Sequence, residues 1–339
     1  MSAAAHARRR ALAALALSLL AASFFTHTYL LNRAIANDGG FWAWTASLRY
    51  LITMPMLVLL MPWQGGAGPV LRAVRAHPWA WLRCGAIGFV GFYLALSFAA
   101  DRGPSWLIAG SFQFTVVAGM LCAPFIYRDA RRRIPRAALA VGGVVLAGVL
   151  LMQFGHAHGA LGRDEWVLLA CVLAAAVCYP LGNRLLLLHL ERSGETLNAS
   201  QRVFGMTLAS QPLWLCVAAF AWQQSGAPPW PQVLLAGGVA LDAGVIATIL
   251  FFQATGMVRD NPAALGATEA MQGAEPLITT VLGVTFLHEA WPSGLSAGGA
   301  VLVMAGIAGF AWMVARGGSA KQADAAIGDA RTLRTDRGA

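Results

Sequence analysis

Several ionisable side chains stand inside stretches that are otherwise apolar: Arg33, Arg49, Arg184 and Arg202 with positive charge, Asp242, Glu269 and Glu275 with negative. At the centre of a membrane helix such a group costs roughly 2.5–3.5 kcal/mol on insertion scales, so a chain that keeps one pairs it or uses it. Glu269 and Glu275 both fall in "ATEAMQGAEPLITTVLGVTFLHE", residues 267–289. Six residues apart, they project about 120° from each other on a helix and cannot both face one cavity. Glu269 shares a face with Gln272. Glu275 precedes Pro276, which lacks an N–H and frees the carbonyl of Gln272. Freed carbonyls inside membranes line cavities. A carboxylate there binds a proton or a substrate, or forms a structural ion pair with an arginine of a neighbouring helix, and a pair that opens on protonation would do both. Arg49 and Arg184 lie deep in their segments, where they contact an anionic substrate or pair with an acid. Arg33 and Arg202 lie near helix ends and can snorkel. Tyr29 and Tyr50 are placed to stack on a lipophilic cation.

The elements that must hold these groups follow from composition. The chain has 339 residues, of which 58% are apolar and only 12% charged, and its mean hydropathy is +0.61. Soluble domains carry about 25% charged residues, so this is an all-α integral membrane protein. The net charge of +9 is spread over the tails and short connections, which excludes a nucleic-acid face. Cys84, Cys122, Cys171, Cys178 and Cys216 sit in apolar runs without a C-x-x-C pair and read as small buried hydrophobes. His156 and His158 in "GHAHG" are too few to close a metal site. No G-x-x-x-x-G-K-[ST] motif is present, so movement of a substrate would draw on a proton gradient or on exchange. No catalytic residue, metal or cofactor is expected.

Spans of about 20 apolar residues occur ten times, at 11–36, 41–61, 80–100, 104–127, 137–154, 165–190, 202–222, 231–256, 262–287 and 292–315. The N-terminal apolar run is too long for a signal peptide and reads as an uncleaved first span. Lys and Arg concentrate in alternate connections, which predicts both termini on the cytoplasmic side of the cell (inner) membrane. The polar tail 319–339 reads as disordered.

Tyr29-Leu-Leu-Asn32-Arg33 in span one resembles Tyr179-Pro-Leu-Gly-Asn183-Arg184 in span six, and Ala46-Ser-Leu-Arg49 resembles Ala199-Ser-Gln-Arg202. "DRGP" at 101–104 and "RDNP" at 259–262 open spans four and nine. These matches recur at a nearly constant offset and predict two five-helix repeats, 1–160 and 161–318. Five is odd, so the second repeat enters from the opposite face, the inverted arrangement common in alternating-access carriers. The glycines of "GGVVLAG" (142–148) and "GLSAGGAVLVMAGIAG" (294–309) predict close packing between spans five and ten.

The segments "ASLRYLITMPMLVLL" (46–60) and "AEPLITTVLGVTFLHEAWPSGLSAGGAVLVMAGI" (274–307) resemble the second helix and the ninth-to-tenth helix passage of the drug/metabolite transporter superfamily, EamA-like branch. "FFTHTYLLNRAIANDGGFWAWTASLRY" (24–50) resembles its multidrug-efflux branch. Small multidrug exporters of that superfamily carry an embedded Glu in the first helix; span one here has none, only His27 and Arg33. The resemblance implies a secondary active exporter of small organic compounds, cationic, lipophilic or drug-like. An amino-acid or metabolite exporter or exchanger, and a lipid-carrier flippase, are the alternatives. Expected partners are a small-molecule substrate, the lipid bilayer, a proton or exchange gradient and no nucleic acid, with the chain a monomer or homodimer. A membrane enzyme finds no support, because H-E-x-x-H and Asp-rich pairs are missing and no long loop could hold a catalytic insert.

Overall fold

A computed structural model describes residues 3–128, 132, 134, 136–158, 161–258, 268, 271–309 and 312, and among them every regular element is helical. The helices are α1 (Ala3–Asn37), α2 (Trp42–Leu60), α3 (Gly68–Ala76), α4 (Pro78–Ala100), α5 (Ser105–Phe112), α6 (Thr115–Leu121), α7 (Ala123–Ile126), α8 (Arg136–His156), α9 (Arg163–Ser193), α10 (Ala199–Ser225), α11 (Trp230–Met257), α12 (Glu275–Leu287) and α13 (Gly294–Gly309). Seven of them, α1, α2, α4, α8, α9, α10 and α11, contain stretches long and apolar enough to cross a membrane.

Of the remaining three expected spans, 292–315 contains the single helix α13 and the other two are broken among the described residues. Span 104–127 divides into α5, α6 and α7, with turns at Gln113–Phe114 and at Cys122. Pro124 stands at the start of α7, where its missing N–H costs nothing. Span 262–287 is not one helix through Glu275. A 3-10 turn, Met271–Ala274, precedes α12, and Pro276 sits in the first turn of that helix. A proline inside a helix clashes with the carbonyl four residues back, so the chain starts a new helix at Glu275 instead of kinking an old one.

Helix packing in a membrane gains little from the hydrophobic effect and depends on close approach of small residues. Gly88 of α4 and Gly182 of α9 meet backbone to backbone, so a Cβ on Gly88 would lie 3.0 Å from the Gly182 Cα. Gly148 of α8 stands equally close to Gly299 of α13, and the Ser296 hydroxyl donates to the Met152 carbonyl at 3.1 Å. The predicted packing of spans five and ten is therefore observed. Elsewhere α1 packs along α11 and α12, α2 along α10, α4 along α9, and α5 along α12. Both α4 and α11 contain a π-helical stretch, Ala86–Gly91 and Ala240–Ala247, where they lie against α9 and α1 respectively. Large apolar side chains such as Leu59, Leu215, Leu277 and Val301 point outward, as a surface in contact with lipid requires.

The start of α10 is held by a capping box. The Asn198 side chain accepts from the Gln201 N–H at 2.9 Å, and the Gln201 side chain accepts from the Asn198 N–H at 3.1 Å. The same two side chains donate to the carbonyls of Gln64, Gly65 and Gly66 after α2. Because it serves two elements, Asn198→Ala is expected to destabilise the protein by about 1–2 kcal/mol, the upper part of the range for a lost cap. A lowered thermal midpoint in detergent checks this, and Ser200→Ala, which removes one bond to Gln64, should cost less.

Candidate functional site

The centre of the molecule is built where α1, α2, α4, α9 and α12 converge. Glu275 opens α12 and is 7% exposed. Its Oε2 accepts from the Tyr29 hydroxyl of α1 at 3.4 Å, a long bond. Three residues along α1, Asn32 accepts from the Tyr93 hydroxyl of α4 at 2.9 Å. Tyr93 in turn lies under Arg49 of α2, whose guanidinium carbon is 4.1 Å from its ring centroid and 5.5 Å from that of Tyr50. Tyr50 stacks on Trp214 of α10 at 4.6 Å and 9°. Glu275 and Arg49 thus occupy the two ends of one aromatic cluster.

These two charges are not paired with each other, and among the described residues Arg49 has no carboxylate within ion-pair distance. Its NH1 has no hydrogen-bond acceptor, and neither does the Asn32 amide nitrogen. Tyr29 and Tyr179 each lie within electrostatic reach of both Glu275 and Arg49. Tyr179 packs on the buried rings of Phe92 (4.9 Å) and Phe112 (6.3 Å), yet it is 37% exposed. Tyr179 is thus the exposed ring of an otherwise buried aromatic group.

The other expected site residues separate from this cluster. Asp242 lies in the π-helical stretch of α11 and pairs with His27 of α1, Oδ2 to Nδ1, at 2.7 Å. Two residues along α1 from Tyr29, His27 points away from Glu275 and towards α11, so this is a second, half-buried acid–base pair. Arg184 is half-buried on α9 and lies against Gly119 of α6. Gln272 sits in the 3-10 turn and reaches the Ser18 carbonyl of α1 at 3.5 Å, so it ties the turn to α1. Glu269 lies outside the described residues. Arg33 does more than snorkel: its NH1 donates to the Ala100 carbonyl at 2.8 Å and its Nε is 3.9 Å from Glu289.

Three participants escaped the sequence reading. His27 was visible as an ionisable residue in mid-span, but its partner lies 215 positions away. Glu289 accepts from the N–H and the hydroxyl of Ser105, both at 2.7 Å, and so caps α5 from a distant loop; the only sequence signal is that Pro104 cannot cap that helix with its own side chain. Tyr93 carries no pattern beyond an aromatic in an apolar run. Trp44, at the start of α2, is buried and donates to the Gly226 carbonyl at 2.9 Å.

Comparison with known proteins places this arrangement. A solved crystal structure shares the fold, with a TM-score of 0.59 at 18% identity, over 89% of this chain and 98% of that one. The uncharacterised protein YjlA of Bacillus subtilis (strain 168) is 41% identical over 303 residues, 87% of this chain and 93% of its own. An uncharacterised 42.1 kDa protein from the intracellular alkaline protease 3' region of Shouchella clausii is 36% identical over 80% of this chain and 72% of its own. Residues 12–316 match the family described as "Putative multidrug resistance efflux transporter". A multi-pass helical membrane protein matched over residues 12–316, this chain belongs to that transporter family.

Proposed function

We propose that the chain is a secondary active transporter that exports small organic compounds across the cell membrane by alternating access, with Glu275 as the group that binds cargo or proton. The observation that carries this reading is the buried Glu275 beside Tyr29 at the broken start of α12. A helix that begins inside the membrane presents its N-terminal amides to the cavity, as substrate sites of carriers do.

The pairing of helices supports ten spans in two inverted halves. In the expected order of spans, a two-fold relation exchanges one with six, two with seven, three with eight, four with nine and five with ten. Under it, contacts two–seven, four–nine and five–ten map onto themselves, and one–eight maps onto six–three. Those are the pairs α2–α10, α5–α12, α8–α13, α1–α11 and α9–α4. The π-helical stretches of α4 and α11 are exchanged by the same relation. The Lys/Arg bias of the connections supports cytoplasmic termini. One chain suffices to enclose the cavity, so a monomer is the minimal functional unit.

Vesicles containing the purified protein and a trapped pH dye test the coupling. Tetraphenylphosphonium, a lipophilic cation, and a panel of small organic compounds are added outside. The expected result is a proton movement that accompanies at least one compound and varies with external pH. Compounds that move with no proton movement and no pH dependence would remove Glu275 from the coupling step.

A further inference from the structure

We infer that His27 and Asp242 form the site that takes up the coupling proton, apart from Glu275, which is left to hold cargo. The inference rests on the transporter reading given above and divides its two tasks between two places.

The pair sits deep in its helices. His27 is ten residues before the end of α1, about 15 Å, and Asp242 is near the midpoint of α11. The Nδ1–Oδ2 distance is 2.7 Å and the side chains are 35% and 23% exposed, so the protein joins them without sealing them off. With Asp242 ionised, the Nδ1–H of His27 donates to Oδ2, and no hydrogen bond to Nε2 appears among the described residues. In that state the pair carries one net negative charge. A proton added at Nε2 turns the imidazole into imidazolium and leaves the pair neutral, so one proton binds and one charge is cancelled.

No other charge claims this position. On α1 itself, Tyr29 is held by Glu275 and Arg33 by the Ala100 carbonyl. From α2, Arg49 lies over the rings of Tyr50 and Tyr93, the latter from α4. Glu275 is the titratable group of α12, Arg202 and Cys216 are those of α10, and α5 and the turn Met271–Ala274 carry none. Among the described residues none of these groups is within ion-pair distance of His27 or Asp242.

The counterpart of the pair shows what it is not for. In the two-fold relation proposed above, the crossing of α1 with α11 corresponds to that of α9 with α4. Cys178 of α9 stands 151 residues after His27, and Asp242 stands 151 residues after Gly91 of α4, the interval that also separates Asn32 from Asn183. Gly91 and Cys178 are themselves in contact, since a Cβ on Gly91 would lie 3.4 Å from the Cys178 sulfur. A turn away the register holds to within one residue, because Gly88 meets Gly182 and Gly238 meets Leu31. The same crossing thus occurs twice, each time beside a π-helical stretch. One copy is closed by a glycine and a cysteine, the other by an acid and a base. The crossing does not need the charges, and charges at this depth are costly to keep. A pair that packing can do without is retained for what it binds.

Two measurements test this. In the first, the full chain carries isotope-labelled histidine in lipid nanodiscs and its imidazole signals are followed against pH. The His27 signal is identified by its loss in His27→Gln. It is expected to titrate between about pH 5 and 8, and its titration should be displaced in Asp242→Asn. A His27 signal that does not move with pH, or that titrates identically in Asp242→Asn, overturns the inference, and this measurement requires no cargo. The second uses vesicles with the trapped pH dye, tetraphenylphosphonium and the panel of compounds. His27→Cys combined with Asp242→Gly rebuilds here the contact of the other half, so the double variant is expected to fold and to melt close to the parent. His27→Gln combined with Asp242→Asn, which keeps a hydrogen bond and removes both charges, serves if it does not. Either double variant should still bind the transported compound, while proton movement and the pH dependence of flux are lost. A double variant that couples like the parent overturns the inference, and so does a folded one that has lost the compound, which would place cargo at the pair. Glu275→Gln should lose the compound and keep the His27 titration. If it keeps the compound instead, the reading of Glu275 falls and that of the pair stands.

Discussion

Glu275→Gln is expected to abolish coupled transport while the protein stays folded. Glutamine keeps the size of the side chain and an oxygen that can accept from Tyr29, so the packing at the start of α12 is preserved. Only the charge and the exchangeable proton are lost. A charge-assisted contact contributes about 1.5–3 kcal/mol, so binding of a cationic or ammonium-bearing substrate should weaken about 10- to 100-fold. Stability should move the other way. Glu275 is buried without an ion-pair partner among the described residues, and removing an uncompensated charge from an interior relieves a desolvation cost. The thermal midpoint is expected to stay level or rise while transport falls, the opposite of what a structural ion pair would give. Tyr29→Phe removes only the 3.4 Å bond and should cost no more than about 1 kcal/mol of binding. Paired measurements of substrate flux and melting temperature decide the matter. A Glu275→Gln protein that transports like the parent, or melts far below it, makes Glu275 structural.

The second large effect is expected at the crossing of α4 and α9. A Cβ on Gly182 would fall on the backbone of Gly88 and 2.8 Å from the Cys84 carbonyl oxygen. Backbone cannot swing aside as a flexible side chain can, so Gly182→Val must push the two helices apart. Overpacking typically costs 1–3 kcal/mol and about that much or more is expected here. Beyond stability, α4 carries Tyr93 and α9 carries Tyr179, so a shifted crossing would displace two rings of the central aromatic cluster. Folded yield in detergent should fall sharply. Gly143 of α8 is the control, because a Cβ there meets nothing within 4 Å. Gly143→Ala should be neutral or stabilising by up to about 1 kcal/mol through helix propensity. Equal yields for Gly182→Val and Gly143→Ala would show that the close approach is not required.

The class of the protein was legible in its residues because composition alone decides it. A chain with so little charge cannot present a water-facing surface, and an apolar run of a given length must become a helix once every backbone group needs an internal partner. Glu275, Arg49, Tyr29 and Tyr50 were legible for a related reason: an ionisable or aromatic-polar group stands out in such a background, and its cost marks it. The glycine runs likewise announced the contact of α8 with α13, since small residues spaced a turn apart have no other physical use in lipid.

Partnership was not legible. Asp242 and Glu275 look alike in sequence, yet among the described residues the Asp242 carboxylate meets His27 and that of Glu275 meets Tyr29. Glu289 looks like a loop acid, yet it caps α5 from 184 positions away. Where a span breaks also depended on neighbours, because the turn at Met271–Ala274 is held to α1 by Gln272. Periodicity and cost are local properties and can be read along a chain. Whether a buried charge is neutralised or left open depends on which helix lies opposite at which depth, and only the packed tertiary structure decides that.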